Sequence, residues 1–105
     1  MRVVLFQLRD GMDEDKLESL LLAARSEIPG VVDMHFGGNK VHLTKYGDAL
    51  KSKYTHVLIS RHEREEFLRE YISHPRYRDI TQYIVSFSTA PATAVNFYAN
   101  GRPHL

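Results

Sequence analysis

Two runs of the chain decide its fold: Tyr54-Thr55-His56-Val57-Leu58-Ile59 and, a dozen residues later, Tyr71-Ile72-Ser73-His74-Pro75. The first is rich in β-branched and aromatic residues and reads as a strand. The second closes a helix, because the residue before a proline avoids helical backbone, and Pro75 can start another. Glu63 to Ser73 is the first of these helices, with Phe67, Leu68, Tyr71 and Ile72 on one face. Tyr77, Ile80, Ile84 and Phe87 fall at helical spacing in the second.

Outward from there, residues 2–8 form an apolar strand and Asp10-Gly11 a turn. Asp13 caps a helix whose stripe is Leu17, Leu20, Leu21, Ala24 and Ile28, and Pro29-Gly30 stops it. In a strand over residues 31–37, Val32, Met34 and Phe36 share one face, with Asp33 and His35 on the other. The polar connection 38–53 is longer than packing requires and is a candidate lid. Residues 92–98 give a fourth strand and 99–105 a frayed tail. The order β-α-β-β-α-β, with one extra helix, is the ferredoxin-like α+β plan: a four-stranded antiparallel sheet with helices on one face.

Strands 1 and 3 are apolar on both faces, so the face without helices must find another cover. A second copy is the economical one, and a two-fold homodimer closing into an α/β barrel is expected. Alternation groups Arg2, Val4, Phe6 and Leu8 together, and Tyr54, His56, Leu58 and Ser60 together. The uniformly apolar pair Val57 and Ile59 is expected to face the helices. The mixed set is expected to line a cavity for a small hydrophobic or aromatic molecule, which makes Arg2, Phe6 and Tyr54 candidate ligand contacts.

With 105 residues the chain is read as one domain, 1–105. It has no cysteine, which excludes disulfides and thiol chemistry. Lys plus Arg is 14 against 13 for Asp plus Glu, which gives no electrostatic reason to expect nucleic acid. No apolar run approaches the ~20 residues of a membrane helix, so a cytoplasmic protein without membrane partner is expected. No histidine pair has metal-ligand spacing, and neither metal nor cofactor is expected. His35, His42 and His62 read as surface residues. Arg76 and Arg78 could grip an anion, although alternating charge on an exposed helix face is commonplace.

Val3 to Gly11, Ile28-Pro29-Gly30-Val31, Tyr54-Thr55-His56-Val57 and Tyr71 to Pro75 together resemble the stress-responsive A/B barrel domain, also called the dimeric α/β barrel or Dabb family. The likeness spans roughly residues 2–98 and implies a ferredoxin-like homodimer. Some members of that family are cofactor-free cyclases of polyketide-like substrates, and His56 and Tyr71 match their cavity positions. The resemblance thus implies His56 and Tyr71 as catalytic candidates, with His74 and Tyr77 beside the ligand. His74 could equally brace the turn. The chain departs from the pattern twice. Arg2 stands where the family commonly has histidine, and Tyr77 stands where the cyclases place their key histidine. A phenol of pKa near ~10 is a poor base at neutral pH. Three functions follow as expectations: a small-molecule binding homodimer, a cofactor-free cyclase or monooxygenase-like enzyme, or a non-catalytic stress or interaction protein.

Overall fold

The structure is a computed structural model that describes residues 1–38 and 54–97. His42, the expected tail and all but the first residue of the expected lid lie outside the described residues. The elements are β1 (Arg2–Phe6), α1 (Glu14–Glu27), β2 (Val31–Gly38), β3 (His56–His62), α2 (Glu65–Ser73), α3 (Pro75–Val85) and β4 (Thr93–Asn96). The four strands form one antiparallel sheet in the order β2-β3-β1-β4. That is the ferredoxin-like arrangement, with β1 and β3 central.

Local chemistry sets the boundaries. Asp13 caps α1, its carboxylate accepting the Asp15 and Lys16 amides, with Glu14 and Asp15 in the positive first turn. Gly30 ends that segment at φ +76°, a left-handed conformation that side chains resist. A Cβ there would also collide with the Phe67 ring. His74 separates α2 from α3 in extended backbone. Its amide donates to the Tyr71 carbonyl, and its ring Nδ1 accepts the Arg76 amide.

The core lies between the sheet and the helices. Val4, Phe6, Met34 and Leu58 from the strands meet Leu17, Leu21, Ala24, Tyr71, Ile80 and Ile84 from the helices. This reverses the expected facing of β3. The buried set is the mixed one, Leu58 and Ser60, while Val57 and Ile59 look away from the helices and stay partly exposed. Uniform apolarity marks the uncovered side. The helix side tolerates Ser60 because a neighbouring ring satisfies its hydroxyl. A second departure lies in β2. A bulge between Val31 and Asp33 turns Val32 out to solvent, and Val31 packs inward in its place.

Candidate functional site

One end of the core is polar. Arg2 of β1 lies opposite both Ser60 of β3 and Asn96 of β4, so these three share the helix-facing side. Two residues beyond Ser60 on that side comes His62, and its Nε2 lies 2.9 Å from the Ser60 hydroxyl. The His62 ring meets Tyr71 edge-on at 4.4 Å between centroids, and Tyr71 in turn lies 4.3 Å from the Tyr77 ring. Arg2 Nε donates to Tyr77 Oη at 3.3 Å, and its Nη1 donates to Asn96 Oδ1 at 3.0 Å.

The helices place the phenols. Tyr71 is three residues before His74 and Tyr77 three after it, so the elbow brings the last turn of α2 and the first of α3 onto the same patch of sheet. Tyr71 is fully buried, and its hydroxyl has no hydrogen-bond partner among the described residues. Burial pushes that phenol well above its usual range. Ser60 alongside eases the rise in part, although no bond of good geometry joins the two. Tyr71 is therefore a proton donor at neutral pH. His62 moves the other way, to about 4, first through burial and then through the positive charges of the N-terminal ammonium and Arg2; Asp33 opposes the shift. The imidazole is neutral at pH 7, and its Nδ1 is buried without a partner.

A cleft of about 390 Å³ opens beside this cluster. Met1, His62, Leu68, Asn96 and Phe97 line it, with Glu63 to Glu66 at the start of α2. His62 and Asn96 belong to both cleft and cluster.

The structure thus brings together three of the residues singled out from sequence, Arg2, Tyr71 and Tyr77, and adds Ser60 and His62. It does not bring His56 to them. Four residues from His56 to Ser60 span roughly 13 Å of strand, too far for a direct proton transfer to Tyr71. His56 stacks on Phe36 at 5.3 Å, and its Nδ1 lies 2.8 Å from Thr55 Oγ1. That hydroxyl also accepts the Leu8 amide and lies 3.3 Å from the Phe6 carbonyl. Phe6 is core beside His56 and Phe36. Tyr54 reaches Thr93 on β4 through its hydroxyl at 2.8 Å, and His74 is the cap between helices. Arg76 is engaged by Glu27 at 2.6 Å and by Asp79. His35 is exposed as expected, but His62 is half-buried rather than a surface residue. One more step of strand alternation, from Ser60 to His62, is the signal that would have found it.

Among the described residues no group of three or more His, Asp or Glu is placed to hold a metal ion. No helix among them is long and apolar enough to cross a membrane.

No curated protein matches the chain. Among solved structures it is similar to a protein of Arabidopsis thaliana, with 23% identity over 92% of this chain and 91% of that one and a TM-score of 0.66. It is similar to a dimeric ferredoxin-like protein of unknown function from Thermobifida fusca, at 23% identity, 90% and 84% coverage and a TM-score of 0.64. A dimeric ferredoxin-like protein of unknown function from Jannaschia sp. shares 16% identity over 92% and 95% of the two chains, with a TM-score of 0.71. These likenesses show the fold. The model of the Stress responsive A/B Barrel Domain matches residues 1–97, and the chain belongs to that family.

Proposed function

We propose that the protein is a homodimer that binds a small aromatic or hydrophobic molecule at the Arg2–Tyr71–Tyr77 end of the layer between sheet and helices. The buried, unpartnered Tyr71 hydroxyl carries this reading. An orphan of that kind costs about 1–3 kcal/mol, and a fold retains it where something else uses the group. The adjoining cleft is within the size range of small-molecule sites. The dimer rests on the open sheet face, where Val3, Leu5, Val57 and Ile59 remain partly exposed and Val95 is half exposed. The Thermobifida and Jannaschia proteins, described as dimeric, support it.

The test uses 2-naphthol as a neutral aromatic probe, followed by amide chemical shifts. Ser60, His62, Tyr71 and Tyr77 should move on titration. Tyr71→Phe should weaken the response while leaving thermal stability unchanged or raised, since it removes an unsatisfied group. Shifts confined to other surfaces, or a Tyr71→Phe protein that is less stable yet binds as well, would refute the assignment.

A further inference from the structure

From the balance of hydrogen-bond donors and acceptors around Arg2, we infer that the ligand carries a carboxylate, or an anion of like geometry, seated on Arg2, Tyr77 and Tyr71. This rests on the binding site proposed above and names its ligand class.

The guanidinium has five N–H donors and no acceptor. One meets Tyr77 Oη and another meets Asn96 Oδ1, both neutral oxygens. No carboxylate of the described residues lies within ion-pair distance of Arg2; Arg9, Arg69 and Arg78 lack one too but are exposed, whereas Arg2 is half-buried. Tyr77 accepts from Arg2, and no acceptor for its own O–H is found among the described residues. Tyr71 offers a further O–H with no acceptor. Ser60 and His62 Nε2 bond one another, His62 Nδ1 stays buried without a partner, and neither residue supplies negative charge. The site therefore has a fixed positive charge and at least three unused donors, with almost nothing to receive them.

A neutral alcohol or ketone would leave most of these donors idle and the charge uncompensated. A carboxylate has two oxygens with about four acceptor positions, and a guanidinium matches it in plane and spacing. Arg2 adjoins the cleft, since its partner Asn96 and its chain neighbour Met1 both line it, while Arg2 and the two phenols are not themselves part of its lining. Glu63, Glu65 and Glu66 also line that cleft, with Arg64 among them, and are exposed to solvent. The apolar body of a ligand would lie along Leu68 and Phe97, its anionic end toward Arg2.

The experiment compares 2-naphthoate with 2-naphthamide, which have nearly the same shape and differ in charge, by titration on the full chain. The acid should bind about 10- to 100-fold more tightly than the amide, the range for a hydrogen bond to a charged group. Arg2→Gln should erase that preference, and Arg2→Lys should keep part of it, since the charge stays while the planar fork is lost. The Lys variant keeps the test decisive if the Gln variant does not fold. Equal binding of acid and amide overturns the carboxylate assignment; if 2-naphthol still shifts the phenol cluster, the binding site itself survives. Silence from all three probes overturns both.

Discussion

At the scale of single residues, polar groups here do their work by being short of partners. His62 illustrates the cost. It is held neutral down to about 4, against 6.5 for an ordinary histidine, chiefly by burial. The unfolded chain therefore takes up a proton first as pH falls. His62 leaves stability intact above about 6.5, erodes it from there toward 4, and adds no further loss once the folded protein is protonated too. Urea unfolding midpoints measured between pH 7 and 4.5 should fall less steeply in His62→Phe than in the parent. The carboxylates are common to both proteins and cancel in that comparison. Equal slopes would show that His62 titrates normally. This residue was hidden in the sequence by its company: Arg61, Glu63 and Arg64 surround it, and a histidine in a charged run reads as surface.

At the scale of elements, junctions carry more information than interiors. Gly30 joins α1 to β2 and lies against Phe67 of α2, so one residue ties three elements. Gly30→Ala combines a left-handed penalty of about 1–2 kcal/mol with an overpacking penalty of about 1–3 kcal/mol. Thermal unfolding should show a Tm lower by roughly 10 °C or more; a drop of only a degree or two would mean that the backbone relaxes freely there. Punctuation of this kind made the element order legible: Asp13, Pro29-Gly30 and His74-Pro75 each mark a boundary the structure keeps. The faces were less legible. Alternation says which residues go together, but not which set meets the helices when both are largely apolar, and the polar groups of Tyr54, His56 and Ser60 pointed the wrong way. The bulge at Val32 broke parity within β2, which no local pattern announces. Likewise the matched positions His56 and Tyr71 named two residues without showing that His56 starts β3 while Tyr71, on α2, packs against its far end at His62.

At the scale of the whole molecule, the sheet divides its labour between two sides. One meets the helices and holds the polar cluster; the other shows Val3, Leu5, Val57 and Ile59, bordered by Val95. If a second copy covers that side, a charge in its middle should prevent assembly while leaving the helix side alone. Ile59→Lys should elute with the mass of a single chain in light scattering and retain native circular dichroism. A dimeric Ile59→Lys protein would place the contact elsewhere. The two sides are also neighbours along the chain. Arg2 and Val3, like Ile59 and Ser60, are separated by one peptide bond and point in opposite directions. If a second copy covers the open side, a strand movement that seats a molecule among the phenols would also be felt at that contact. By thermodynamic reciprocity, whatever factor occupancy adds to self-association, self-association returns to occupancy. Dilution and saturation would then be two handles on a single equilibrium.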